Sequence, residues 1–247
     1  MIHVKSDREL LIMRRAGQVL ARVMKKLVRS VRAGMTTLEV DALAEYLIAE
    51  AGEEPAFKGY RGYPATACVS VNDEIVHGIP GDRMIYEGDI VSIDLGLRHE
   101  GFYSDMALTV GVGRVAPDRV KLLRVAREAL RIGINKAREG NHLSDISYAI
   151  QAHAEQNGFS VVRQFVGHGI GANLHEEPEV PNFGRPHQGV TLTRGMVLAI
   201  EPMINAGTPD ARIASNGWTA STADGKPSAH FEHTVAITAR GPLILTV

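Results

Sequence analysis

Glycines recur at matched spacings in the two halves of the chain, and this narrows the folds open to it more than any other feature. Gly34 and Gly52 lie 18 residues apart, as do Gly140 and Gly158. Gly88 stands six residues before Asp94 in GDIVSIDLG, and Gly195 six before Glu201 in GMVLAIEPM. Two matches in the same order predict one unit built twice, at about 1–113 and 114–247, within a single domain. In the first half, Ser6-x-x-Glu9 is a capping box that opens an amphipathic helix running to about Val31. Thr36-x-x-Glu39 opens a second helix, with Leu38, Leu43, Leu47 and Ile48 as its apolar residues, stopping near Gly52. Residues 53–64 are a loop rich in Gly, Pro and Tyr. Strand patterns follow at 66–71, 74–77, 89–96 and 101–113. The second half repeats the order. Pro117 suits the first position of a helix running to about Arg138, and another helix spans about 143–156. Strands are predicted near 161–166, 190–192, 196–202, 230–238 and 243–247. Helices segregated from strands within each half predict an α+β fold, with helices on one face of an antiparallel sheet.

The charge balance removes several function classes. Lys and Arg total 27 against 28 Asp and Glu, a net charge of −1, which argues against a chain devoted to neutralising nucleic acid. No apolar run approaches a membrane span. The opening MIHVKSDRELLIMRR is broken by charges and does not read as a secretory signal. The single cysteine, Cys68, can form no internal disulfide, so a reducing, cytoplasmic setting is expected.

Acidic residues inside apolar strands carry the chemistry. Asp94 in SIDLG and Asp105 in YSDMALTV flank Arg98-His99-Glu100-Gly101, which reads as a hairpin turn. A turn centred between His99 and Glu100 sets Asp94 directly opposite Asp105. Like charges so opposed, with Cβ atoms about 5 Å apart, repel, and a register slip would turn other side chains to the wrong face. A divalent cation or a shared proton would have to compensate. Glu201 in LAIEPMI takes the slot of Asp94 in the second half, and Glu232 in HFEHTVAIT lies in another apolar strand. His168, framed by glycines in VGHGIGA, can add an imidazole. Taken singly, each acid could pair with a cation or face water, but Lys and Arg are nearly absent from these strands. Four carboxylates and one histidine suit a two-metal site with bridging carboxylates. Oxygen-rich ligation favours manganese, iron or cobalt over zinc.

The stretches NDEIVHGIP (72–80), SIDLG (92–96), YSDMALTV (103–110), GHGIG (167–171), LHEEP (174–178), IEPMI (200–204) and FEHT (231–234) make the chain resemble the bacterial, type I methionine aminopeptidases over nearly its whole length. The resemblance implies the pita-bread fold, a pseudo-twofold unit with a curved antiparallel sheet covered by helices. It implies a metal-dependent hydrolase that removes the N-terminal methionine of nascent polypeptides when the second residue is small. Two divalent ions are implied, with Asp94 chelating one, Asp105 and Glu232 bridging, and His168 and Glu201 on the second. Glu201 would also be the general base. His77 and His175 match the family's two catalytic histidines that bind no metal, and Tyr60, Tyr63, Cys68 and Trp218 match its methionine pocket. Leu174 departs from relatives that carry an aromatic residue before the HEEP histidine. Glu232 follows Glu201 by only 31 positions, which leaves no room for the type II insertion. No zinc-binding extension, and no large preceding domain of the kind usual in Xaa-Pro aminopeptidases, is expected. Such a peptidase, and a non-enzymatic binding protein on the same fold, are the alternatives.

Other signals are weaker. Gly111-x-Gly113-x-x-Ala116 precedes a helix followed by another helix rather than a strand, so it reads as a loop and not a dinucleotide site. Cys68, in the alternating ATACVSV, reads as a pocket wall rather than a nucleophile. From Leu10 to Arg32 there are seven Lys or Arg and no acid. A solvated helix face explains this; docking to the ribosome is the functional alternative. A monomer is expected, with no membrane partner and no sequence-specific nucleic acid.

Overall fold

In a computed structural model, which describes residues 2–247, both predicted capping boxes form. Glu9 accepts from the Ser6 N–H at 2.7 Å while its own N–H donates to Ser6 Oγ at 3.3 Å. They open α1 (Asp7–Ser30) and α2 (Thr37–Glu50). Helix α3 (Pro117–Lys136) starts on its proline, and α4 (Leu143–Gln156) is capped by Asp145, which accepts from the His142 N–H at 2.8 Å. Apolar faces set the layers. Leu20, Met24 and Leu27 of α1, with Val40 and Ile48 of α2, pack on Val91, Ile93 and Leu95. Leu130 and Ile134 of α3, with Ile146 and Ile150 of α4, pack on Leu198, Ile200, Val235 and Ile237. Each helix pair thus covers its own sheet.

In the first sheet, the strand Ile90–His99 pairs antiparallel with Ala67–Val71 and with Phe102–Gly111. In the second, the order is Gly241–Ile244, His233–Thr238, Val197–Ile200, Gly167–Gly169, Glu176–Val180. The strands Gly167–Gly169 and Glu176–Val180 were not legible beforehand, since glycine and glutamate are poor strand formers. Two predicted strands contract. The 161–166 pattern keeps only Ser160–Val161, because Gln164, Phe165 and Val166 leave the ladder to line a cavity. The 190–192 pattern keeps one bridge, Thr191 to His142.

The repeated glycines share one conformation. Gly34, Gly52, Gly88, Gly140, Gly158 and Gly195 all have left-handed φ, between 76° and 90°. Their hydrogen bonds correspond as well: Gly34 donates to the Ile85 carbonyl and Gly140 to the Leu192 carbonyl, each at 2.9 Å.

The hairpin register corrects the sequence expectation. The turn is Glu100-Gly101, with φ of 46° and 87°, one residue later than expected. A two-residue turn with both φ positive matches strand twist, and glycine takes its second position without strain. Asp94 therefore faces Ala107, and Asp105 faces Gly96. The two acids are diagonal neighbours on one face rather than directly opposed.

The halves meet along a seam between the strand Phe102–Gly111 and residues 230–234. Thr234 Oγ1 accepts the Asp105 N–H at 3.0 Å and donates to the Asp105 carbonyl at 2.7 Å. Thr109 Oγ1 treats His230 in the same way, at 2.9 and 2.7 Å. Between them the Glu232 N–H donates to the Ala107 carbonyl at 2.9 Å. Buried threonine hydroxyls thus complete a ladder that the backbones make only in part. A second closure lies in α1, where Gly17 leaves room for the main chain of Leu245.

Candidate metal centre and its cavity

Four strand segments converge on one cavity of about 270 Å³ that opens where the halves meet. Each of the twelve candidate site residues lines it. At its base lie Asp94 and Asp105 from the first-half hairpin, Glu201 just beyond the strand Val197–Ile200, Glu232 at the seam, and His168 from Gly167–Gly169. His168 Nδ1 lies 2.8 Å from the Gly169 carbonyl. An acceptor there holds the proton on Nδ1 and leaves the Nε2 lone pair free. That Nε2 stands 3.7 Å from Glu201 Oε1 and 4.0 Å from Asp105 Oδ2.

Among the described residues Arg61 is the only Lys or Arg in the lining, and no Lys or Arg forms an ion pair with these acids. Burial pushes the Asp94 carboxyl up to about 7; the His230 ring opposes this and Glu201 adds to it. Burial likewise raises Glu201 to about 7, opposed by His168. Asp105 is raised by burial, then by Asp94 and Glu201. Glu232 is raised by burial, then by Asp105 and Glu201. Asp94 Oδ1, Asp105 Oδ1 and Glu232 Oε1 are buried with no hydrogen-bond partner. Orphaned carboxylate oxygens are costly, and divalent cations would satisfy all three together. Asp105, His168 and Glu232 offer ligand atoms within 4.8 Å of one another, and so do Glu201, His230 and Glu232. Glu232 belongs to both groups. The donor set therefore fits divalent metal.

His230 was missed in the sequence. It is buried, and its Nε2 lies 3.3 Å from Glu201 Oε2. The signal was present: it stands two residues before Glu232, and strand alternation puts such a pair on one face. Phe57, Phe165 and Met203 also line the cavity, and no pattern around them announced it.

The remaining candidates form the walls. His77 has left-handed φ of 58°, uncommon for a non-glycine residue. Thr219 Oγ1 donates to its carbonyl at 3.3 Å, and its ring stands edge-on to Phe165 at 5.4 Å. Burial, then His230, pulls His77 down to about 4. His175 stacks on Tyr60 at 5.2 Å and holds the Tyr60 hydroxyl at 2.9 Å from Nδ1. Burial, followed by His168, pulls it down to about 3, so both histidines are neutral at pH 7. Tyr63 meets Trp218 edge-on at 5.1 Å, and its hydroxyl lies 3.0 Å from the Gly78 carbonyl. Leu174 is buried. Cys68 is buried beside Asp94, and burial raises its thiol, which agrees with a wall and not a nucleophile.

Acids and a histidine gathered at the seam of two similar halves define a class, and the chain belongs to it: metallopeptidase family M24, whose model matches residues 12–239. Within that family the chain is 52% identical to the methionine aminopeptidase of Clostridium perfringens, covering 100% of this chain and 99% of that one. It is 49% identical to methionine aminopeptidase 1 of Bacillus subtilis, covering 100% and 99%. A crystal structure of methionine aminopeptidase from Thermotoga maritima superposes with a TM-score of 0.98 at 43% identity, covering 100% and 99%. The prolidase of Pyrococcus furiosus gives 0.81 at 24% identity, over 99% of this chain but 65% of that one, and so shares the fold. The expected α+β pita-bread architecture is the one observed.

Proposed function

We propose that this chain is an aminopeptidase, one catalytic domain of two related halves, that removes the N-terminal methionine of newly made proteins whose second residue is small. The observation that carries this is the set of three orphaned carboxylate oxygens beside a free imidazole nitrogen, at the base of a cavity walled by Tyr63, Cys68, Leu174 and Trp218. The full-length likeness to methionine aminopeptidases supports it. Asp94, Asp105, His168, Glu201 and Glu232 would hold two divalent ions. Manganese, iron or cobalt suits so many oxygen donors. When bound, such ions polarise the scissile carbonyl and acidify water.

The chain's own groups do the rest. Glu201 takes a proton from the attacking water and passes it to the departing amine. His175 donates to the oxygen that gains charge: Tyr60, donating to Nδ1, leaves the His175 proton on Nε2. His77, fixed between Phe165 and Thr219, donates to the substrate backbone. The apolar walls accept a long, unbranched thioether. A charged first side chain loses hydration there without compensation. Crowding by His77 and His175 favours Gly, Ala or Ser in second place.

The test compares Met-Ala-Ser, Met-Leu-Ser and Ala-Pro-Ala peptides on metal-stripped protein reloaded with each ion. Metal-dependent cleavage of Met-Ala-Ser, with Met-Leu-Ser slower, is expected. Equal rates for first-position Met and Ala would remove the pocket assignment, and preference for Ala-Pro-Ala would favour the Xaa-Pro reading. On this reading the protein works in the cytoplasm, where nascent chains are made, and does so as a monomer. The seven basic residues of α1 and its C-terminal flank are all exposed, though Lys26 is paired with Glu50 at 2.9 Å. We assign this face to the ribosome. Charge reversal at Lys25, Lys26 and Arg29 should weaken co-sedimentation in a salt-sensitive way; unchanged binding in low salt removes the assignment and leaves the catalytic one.

A further inference from the structure

Lys5 lies in the segment before α1, yet its ammonium is buried against the far half of the molecule. The Lys5 side chain is 1% exposed, and Nζ stands 2.6 Å from Oε2 of Glu176, whose side chain is 10% exposed. Nζ also donates to the His3 carbonyl at 3.0 Å. The second carboxylate oxygen is in use as well, accepting the Asn173 N–H at 3.0 Å. Both charges are therefore paired and hydrogen-bonded, which a buried ion pair requires if it is to persist. Space has been kept for it: a Cβ on Gly171 would fall 2.5 Å from Lys5 Cε and 2.7 Å from Glu176 Oε1.

What the pair holds matters more than the pair. Glu176 directly follows His175 in the chain. The loop 171–176 is tied to the first-half hairpin by Tyr103 N–H donating to the Gly171 carbonyl at 2.8 Å. The Lys5 N–H donates to the Gly195 carbonyl at 2.8 Å, at the turn that leads into the strand before Glu201. One residue of the leading segment thus joins the loop carrying His175 to the turn ahead of Glu201.

We propose that Lys5 and Glu176 are a positioning pair: their ion pair fixes the loop 173–176 and so the aim of His175 at the scissile carbonyl. This rests on the role given to His175 above. The leading segment is then part of the catalytic apparatus without touching substrate. Misplacement of a reacting group by an ångström costs on the order of 10²-fold in rate.

Lys5→Met is compared with wild type in kcat, KM, metal affinity and Tm. A fall in kcat of about 10- to 100-fold is expected, with KM and metal affinity held within about threefold. Because the lone Glu176 charge could unfold the variant, Lys5→Met with Glu176→Gln is measured beside it; it should regain Tm and stay slow. Recovery of both Tm and kcat would reduce the pair to a fold tie and overturn the proposal. Introduced into His175→Ala, Lys5→Met should slow the enzyme less than twofold further, whereas full additivity would overturn it. Normal kcat in folded Lys5→Met, alongside a crippled His175→Ala, would remove the positioning pair alone. Normal kcat in His175→Ala would remove the role of His175 itself.

Discussion

A buried carboxyl with no partner is the most informative residue type in this chain. Asp94, Asp105, Glu201 and Glu232 are each held in reach of the others, and each is pushed toward protonation by the others or by burial. Their separate contributions can be told apart. On its proposed roles, Glu201→Gln keeps shape but loses the proton carrier and an anionic donor. Its kcat should fall by at least the roughly 10²–10⁴-fold of general base catalysis, and near-normal turnover with metal bound would reassign Glu201. Asp105→Ala should lose affinity as well as rate. Changes to groups that only support metal ligands cost about 10- to 100-fold in affinity, so loss of a direct, shared ligand should cost at least as much by calorimetric titration of the stripped protein. These acids were legible in the sequence because carboxylates in apolar strands are rare. His230 carried a weaker signal, its spacing of two from Glu232, and only the fold shows that it faces Glu201.

At the level of elements, the signals that succeeded were local ones. Capping boxes at Ser6 and Thr36, and Pro117 at a helix start, mark their helices because the interactions lie within one turn. The hairpin shows the limit. Its existence was readable, but its register turned on whether Gly101 stood at the third or fourth turn position, and a single residue moved Asp94 from opposite Asp105 to diagonal. Short strands such as Gly167–Gly169 and Glu176–Val180 were illegible because they become strands only by pairing with each other across a loop and, for Gly167–Gly169, with the distant strand Val197–Ile200. The seam was equally hidden, since nothing in Thr109 or Thr234 distinguishes a structural hydroxyl from a surface one. Thr234→Val tests its weight. The isosteric change leaves the Asp105 N–H and carbonyl unpaired in the interior, a loss of about 1–3 kcal/mol that urea unfolding would measure. Metal affinity should fall with it, because Asp105 loses its backbone clamp.

The whole molecule should show the strain of its empty charges in its response to pH. Asp94 and Glu201 have folded pKa values near 7, above those of an unfolded chain, so the folded, metal-free protein binds more protons than the unfolded one. Stability conferred by those protons is present at low pH and lost as pH rises through about 7. Below about pH 6.5 the depressed histidines His77, His175, His230 and His233 act in the opposite sense. That opposing effect fades above about pH 6.5, so the raised carboxyls dominate up to about pH 8, where the Tm of stripped protein should fall. Added Mn²⁺ or Co²⁺ at about 100 times its Kd should raise Tm at pH 7.5 by several degrees, roughly 5–10 °C. A Tm that ignores metal, or climbs over that interval without it, would count against the site.

The closure of Leu245 against Gly17 and the seam at Thr234 also govern when such a protein can begin to act. Synthesis runs from one end, so a half-finished copy already carries Asp94 and Asp105 but has yet to receive Glu201 and Glu232. Two acids without the others are a poor trap for cations, and α1 waits beside a surface that does not yet exist. On the proposed roles, activity arrives late, once the segment carrying Glu232 has been delivered. A molecule whose work is to trim growing polypeptides cannot start on them while it is one itself.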